Sequence, residues 1–255
     1  MTIINDPYFY MFAIPAVLLY GMAKGGLGPA VGAIVVPAMS LVINPVQAAA
    51  ILLPILCLMD LLGLWAFRGK WVRSELRILL PAALLGIGIG TALFEYMNAD
   101  VIRLIIGAIA LVFAIHYWTQ NTGPRREQTE ALPTATGIVS AGLAGFTSFV
   151  AHAGGPPLSM YLLRRSLDKT EFVATTVVFF AVVNYTKLLP YAWLGQLSTD
   201  NLTASLLLAP FAPVGIVTGM WLHKRISERL FFRAACVFLF AVALKLIGDG
   251  VRGLL

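Results

Sequence analysis

Ten apolar segments, separated by short polar connections, make up most of this chain. Several of them, including the third, fourth, eighth, ninth and tenth, reach the roughly 20 residues that a helix needs to cross the hydrocarbon core of a membrane. Only 12% of the residues are charged, whereas soluble domains carry about 25%. The sequence therefore predicts an all-α polytopic membrane protein. The segments comprise residues 9–23, 28–43, 46–66, 76–94, 101–118, 136–150, 155–163, 172–194, 202–222 and 230–248.

Two glycine clusters interrupt the apolar sequence at corresponding places in the two halves of the chain. The first is GMAKGGLGP at residues 21–29, and the second, at residues 142–157, ends in AHAGGPP. Each contains one ionisable side chain, Lys24 in the first and His152 in the second. An unpaired backbone amide costs several kcal/mol in lipid, so such a break persists only where it is buried in protein or lines a wet cavity. Paired breaks of this kind indicate a transport site.

Basic residues lie in alternate connections between the apolar segments. The connections at residues 1–8, 44–47, 95–100 and 195–201 contain no Lys or Arg. By the positive-inside rule, the basic connections are cytoplasmic and both termini are periplasmic. These connections explain the net charge of +6, so nucleic-acid binding is not predicted. The first segment lacks a basic leader and a cleavage site, and we expect it to remain in the mature protein. The basic connections hold Arg68, Lys70, Arg73, Arg77, Arg125, Arg126, Arg164, Arg165, Lys169, Lys224, Arg225 and Arg229.

The two halves of the chain share a pattern of proline and glycine. When the two halves are aligned, Asp60 corresponds to Asn184, and a basic connection corresponds to one without basic residues. Equivalent connections therefore lie on opposite faces of the membrane. We predict two inverted-topology repeats of about five segments, residues 1–118 and 134–255, joined by a cytoplasmic linker at 119–133. Each repeat contains a pair of short helices separated by a Gly and Pro break, and this pair either spans the membrane or is re-entrant, entering and leaving it on one face. The pairs of the two repeats meet near the midplane of the membrane. The matching residues, at one constant offset, are Pro81, Gly86 and Gly90, and Pro210, Gly215 and Gly219.

Ionisable residues within the apolar segments are the main candidates for a site, because a charge at bilayer depth costs about 2.5 to 3.5 kcal/mol. Asp60 and Lys187 form either a structural ion pair or a coupling acid beside an anion-binding cation. Asn184, one turn before Lys187, shares its helix face and can donate to an anion. The candidate proton-coupling residues are Asp60 and His152. The candidate substrate-binding residues are Lys24, Gly25, Gly26, Gly28, Pro29, His152, Gly154, Gly155, Pro156, Asn184 and Lys187.

The ionisable residues of the two breaks each have a structural alternative. Lys24 can extend to the cytoplasmic surface, although the flanking glycines would let a substrate approach the backbone there. His152 can bond a backbone carbonyl without any further role, although its titration near neutral pH suits proton coupling or anion binding.

The expected electrostatics of the breaks favour an anion. Helices that restart at Pro29 and Pro156 would direct partly positive N-terminal amides toward the breaks. Lys24, His152 and Lys187 add positive charge, and Asp60 opposes them. Such a place suits a small oxyanion, whereas the sequence lacks the oxygen-ligand clusters that hard cations need. We found no catalytic motif in the sequence, so no enzyme, cofactor or metal is predicted.

The breaks also carry a family resemblance. GGLGP with Pro37 in the first half, and GGPP before LSMYLL in the second, resemble the sulfite exporter TauE/SafE family of bacterial membrane proteins. The likeness extends over residues 13–248, although this chain has fewer consecutive glycines in its first break and a histidine in its second. The resemblance implies a multi-pass secondary transporter of the bacterial inner membrane that exports sulfite, an organosulfonate or another small sulfur-containing anion.

The expected mechanism is alternating access coupled to protons. The expected partners are the small anion and the lipid bilayer, with a homodimer as a candidate assembly. An anion channel on the same scaffold and a membrane assembly factor are the alternatives.

Overall fold

The structure, a computed structural model, describes residues 6–94, 96–122, 132–222 and 228–254. Most of the predicted linker lies outside these residues, as do Arg125, Arg126, Lys224 and Arg225. The described chain contains helices and no strand. The helices are α1 Pro7–Met22, α2 Pro29–Gly32, α3 Val35–Met39, α4 Pro45–Ala66, α5 Arg73–Phe94, α6 Ala99–Thr122, α7 Thr134–Ala151, α8 Gly155–Leu162, α9 Lys169–Trp193, α10 Thr199–Leu208, α11 Phe211–Leu222 and α12 Glu228–Leu254.

Long apolar helices dominate the described chain. Among the described residues, the helices α4, α5, α6, α7 and α9 are long and apolar enough to cross a membrane. The helices α10 and α11 provide a sixth span if they are counted as one, bent by 42°. The prediction of an all-α polytopic membrane protein is confirmed.

The ninth apolar segment differs from its prediction, because residues 202–222 do not form one continuous helix. The break lies at Ala209 and Pro210, and proline both lacks an N–H donor and clashes with the carbonyl four residues earlier. The corresponding residue of the first half, Pro81, lies inside α5 without interrupting it.

Helices from the two halves of the chain pack against each other in pairs. The helix α4 packs against α9, α6 against α12, α5 against α7, and α1 against α11. Glycines bring the backbones together: a Cβ at Gly86 would collide with the carbonyl oxygen of Gly142, and one at Gly215 with that of Leu18. Close approach of this kind stabilises membrane helices, because lipid provides no hydrophobic driving force between them.

Each glycine cluster ends a helix with a residue of positive φ. The helix α1 continues into a π-helical turn, Ala23–Leu27, and Gly28 follows with φ 94° and ψ 155°, a conformation that is essentially restricted to glycine. The helix α7 ends at His152, whose φ of 51° and ψ of 27° are left-handed. The chain then restarts in α2 at Pro29 and in α8 at Gly155, helices that are too short to span a membrane by themselves.

Candidate functional site

The first break is joined to the central helices α4 and α9 by an ion pair. Lys24, in the π-helical turn, pairs with Asp60 of α4, whose side chain has no exposed surface. Asn184 of α9 donates from Nδ2 to Asp60 Oδ2 at 2.6 Å. The Asp60 carboxylate is thus held by one charged donor and one neutral donor from two other segments.

These contacts correct two interpretations made from the sequence. An ion pair between Asp60 and Lys187 is wrong, because Asp60 pairs with Lys24. Extension of Lys24 to the cytoplasmic surface is also wrong, because its ammonium group binds Asp60 inside the protein and only 20% of the side chain is exposed.

Lys187 is enclosed by hydrogen-bond acceptors from the second break. Its Nζ lies 2.9 Å from the carbonyl oxygen of Ser148, 3.0 Å from Ser148 Oγ and 2.8 Å from His152 Nδ1. The residue has no exposed surface. An ammonium group has three donors, so these contacts use all of them. No carboxylate among the described residues forms an ion pair with Lys187.

His152 connects this cluster to helix α4. Its Nε2 lies 2.8 Å from the carbonyl oxygen of Ala49. A carbonyl oxygen only accepts and an ammonium group only donates, so the two contacts assign the ring proton to Nε2 and the lone pair to Nδ1. The His152 carbonyl also accepts a hydrogen bond from Tyr20 Oη at 3.1 Å. The bond to a backbone carbonyl, which was the structural alternative for His152, is present, and the bond to Lys187 accompanies it.

Neighbouring backbone packs closely against some of the glycines of the two breaks. A Cβ at Gly25 would collide with the carbonyl oxygen of Ile216 in α11, and one at Gly154 with that of Ala144 in α7. At Gly28 the corresponding space is open. Among the other candidate residues, Gly26 lies in the π-helical turn, Pro29 begins α2, and Gly155 and Pro156 form the first turn of α8. These residues shape the backbone around the polar side chains.

Ser148 belongs to this site although the sequence analysis did not identify it. Both of its oxygen atoms accept hydrogen bonds from Lys187. A signal was present in the sequence: Ser148 lies four residues before His152, and residues at this spacing share a helix face.

When Lys187 is protonated, it has no counterion among the described residues. Lys24 and Asp60 neutralise each other, whereas Lys187 faces neutral acceptors, because His152 is uncharged in the assigned tautomer. A buried charge is costly unless it is paired, so an anion beside Lys187 would be stabilised. The described residues contain no group of three or more His, Cys, Asp or Glu suited to a metal ion.

One known protein family matches this chain over most of its length. The sequence profile of the family described as Sulfite exporter TauE/SafE matches residues 13–246, which include both breaks and the polar cluster. No curated protein and no solved structure matches the chain significantly. The family is one of multi-pass membrane transporters. Because the match covers nearly the whole sequence, the chain belongs to the sulfite exporter TauE/SafE family.

Proposed function

We propose that this protein is a secondary transporter that exports sulfite, an organosulfonate or another small sulfur-containing anion across the bacterial inner membrane. The observation that carries the proposal is the buried Lys187 ammonium, which has no carboxylate partner among the described residues. A small oxyanion that replaces one of its neutral acceptors would supply the missing negative charge. Family membership supports the transport activity.

The anion is expected to bind between Lys187 and the second break. Ser148 Oγ lies within hydrogen-bond distance of Lys187 Nζ, so both groups can donate to oxygen atoms of one ligand. Asn184 lies one turn from Lys187 on α9, and its amide is held against Asp60. Protonation of Asp60 would release Lys24 as a second uncompensated cation, which a doubly charged anion such as sulfite requires for charge balance.

Proton coupling follows in this proposal from the Lys187 and His152 contact. Protonation of His152 at Nδ1 would turn an N–H toward the Lys187 ammonium, and two charged donors cannot keep a hydrogen bond. The proton would therefore release Lys187 and create a place for an anion between two cations. The groups that face His152 are Lys187, the Ala49 carbonyl and the Tyr191 ring, whose centroid lies 6.4 Å from that of the imidazole.

Asp60 provides a second place for a proton. Protonation of its carboxylate would remove the charge that holds Lys24, so that proton binding at Asp60 would also increase the positive charge available to an anion. The neighbours that respond to this change are Lys24 and Asn184.

The helix pairs support alternating access by two inverted repeats. In two inverted repeats, α1 is equivalent to α7, α4 to α9, α5 to α11, and α6 to α12. A two-fold rotation that exchanges the halves then places the packed pair α5 and α7 onto the pair α11 and α1. The pairs α4 with α9 and α6 with α12 are each converted into themselves. All four pairs are packed together, as expected for repeats related by a two-fold axis in the membrane plane, with both termini periplasmic.

Flux measurements in proteoliposomes test the proposal. Sulfite, thiosulfate, sulfoacetate, taurine and carboxylates would be compared in counterflow, with and without an imposed pH gradient. We expect saturable flux of a sulfur-containing anion, and a tenfold loss of apparent affinity for each 1.4 kcal/mol of attraction removed by Lys187→Met. His152→Gln should shift the pH at which flux is maximal, and Asp60→Asn should remove the response to the pH gradient.

Lys245→Met is the matched control. Lys245 pairs with Asp249 in an exposed position on α12, so the same substitution there should leave the flux unchanged. Normal flux in Lys187→Met would contradict the proposed site. Flux that stays linear with concentration would instead indicate an anion channel.

A further inference from the structure

A groove lies at the N-terminal end of α5, next to the connection that is predicted to be cytoplasmic. It has a volume of about 430 Å³ and is lined by Trp71, Leu76, Leu80, Pro81 and two arginines, Arg73 and Arg77. The arginines are four residues apart, so they share one face of the helix. Both are exposed, whereas Leu76 is buried and forms part of the apolar floor.

The two arginines carry positive charge that no acidic side chain within the described residues balances by an ion pair. Neither arginine forms an ion pair with any of the described residues. Glu75, which lies between them in the sequence, is only 4% exposed and pairs with Arg165 at 2.8 Å on the inner side of α5. Like charges one helical turn apart repel each other. The rim of the groove would therefore be stabilised by an anionic group.

The lining of the groove identifies the kind of anion. Trp71, Leu80 and Pro81 line the groove together with the arginines, and a small soluble anion would make no use of this apolar surface. A ligand with an anionic head and a hydrocarbon chain would use both parts. Tryptophan is favoured at the headgroup level of a bilayer, and basic pockets on the cytoplasmic side of membrane proteins bind acidic lipid headgroups.

We propose that this groove binds one acidic phospholipid of the cytoplasmic leaflet. Its phosphate lies between Arg73 and Arg77, and an acyl chain lies against Leu76, Leu80 and Pro81. The site does not include any residue of the transport cluster, so it is independent of the proposed transport function.

Fluorescence quenching by lipids with brominated acyl chains tests this site. The full chain would be reconstituted in phosphatidylcholine vesicles that contain either brominated phosphatidylglycerol or the same amount of brominated phosphatidylcholine. The difference between wild type and Trp71→Phe isolates the Trp71 signal from the other tryptophans. We expect brominated phosphatidylglycerol to quench this signal more strongly. Equal quenching by the two lipids would overturn the proposal, because it would indicate ordinary boundary lipid.

Arginine variants test the headgroup contact. A hydrogen bond between charged groups contributes about tenfold in affinity. Arg73→Gln and Arg77→Gln should thus each reduce the preference for phosphatidylglycerol about tenfold. Lys70→Gln removes the same charge from an exposed residue that does not line the groove, and it should leave the preference nearly unchanged.

An equal loss in all three variants would overturn the site, because it would indicate general attraction to an anionic surface. Native mass spectrometry provides a second measurement: phosphatidylglycerol should remain bound to wild type and to Lys70→Gln, and it should be lost from the double arginine variant. Retention of the lipid by the double variant would also refute the proposal. The substituted side chains are exposed, so the variants should keep the fold.

Discussion

Removal of Lys24 should destabilise the protein more than removal of its partner Asp60, because the two side chains are buried to different extents. The Asp60 side chain has no exposed surface, whereas that of Lys24 is 20% exposed. Lys24→Met leaves a buried carboxylate with the Asn184 amide as its remaining side-chain donor. Breaking a buried ion pair in this way costs about 3 to 5 kcal/mol. Because the hydrogen bond from Asn184 remains, we expect the free energy of unfolding to fall by about 3 kcal/mol, the lower end of this range.

Asp60→Asn leaves a cation that can turn toward solvent through its exposed part. The expected cost is about 1.5 kcal/mol, the lower end of the range for a hydrogen bond to a charged group. The double variant has no unpaired charge and should be about as stable as Asp60→Asn alone. The double variant should therefore lose about 3 kcal/mol less of its free energy of unfolding than the sum of the losses in the two single variants.

Reversible unfolding of the purified protein in mixed micelles would measure these free energies. The matched control is the double-mutant cycle that combines Asp60→Asn with Lys187→Met. Lys187 forms hydrogen bonds with Ser148 and His152 and not with Asp60. The coupling in this cycle should be smaller than that between Lys24 and Asp60. Additive effects of the Lys24 and Asp60 variants, or an equal coupling to Lys187, would refute the assignment of the ion pair.

Two further predictions concern topology and backbone conformation. A cysteine that replaces the exposed Ser74 should be labelled by a membrane-impermeant thiol reagent only from the cytoplasm. A cysteine that replaces the exposed Thr199 should be labelled only from the periplasm. The wild-type protein is the control, because its two cysteines are buried. Labelling of both from one side would exclude the inverted repeats. Gly28→Ala should lower the free energy of unfolding by about 1 to 3 kcal/mol, although an added Cβ would have no neighbour within 4 Å. Unchanged stability in a denaturant titration would show that the positive φ imposes no cost.

The helices could be predicted well from the sequence because length and apolar composition are local properties. The segment predicted at 46–66 corresponds to α4, Pro45–Ala66, and the segment predicted at 172–194 corresponds to α9, Lys169–Trp193. The effect of proline was less predictable. Pro81 lies within a continuous helix and Pro210 lies at a break, so proline at equivalent places of the two halves has different effects.

The polar residues of the two breaks and the central helices could be named from the sequence, but the contacts between them could not. Hydrogen bonds that are buried or partly buried involve Lys24, Asp60, Asn184, His152 and Lys187. The partner of Lys24 depends on the π-helical turn, which changes the direction of side chains relative to an α-helix, and the extent of such a turn could not be deduced from the glycines. The role of Ser148 depends on how α7 packs near α9, which is a tertiary property.

The full use of the three Lys187 donors determines which molecules can compete for them. Any ligand must first displace Ser148 or His152, since each proton already has an acceptor within 3.0 Å. A water molecule or an uncharged analogue would only exchange one neutral acceptor for another. An anion at about 4 Å would gain roughly 4 kcal/mol of Coulomb attraction at an effective dielectric constant near 20. The lysine can therefore favour an anion over neutral molecules of the same shape without any steric barrier.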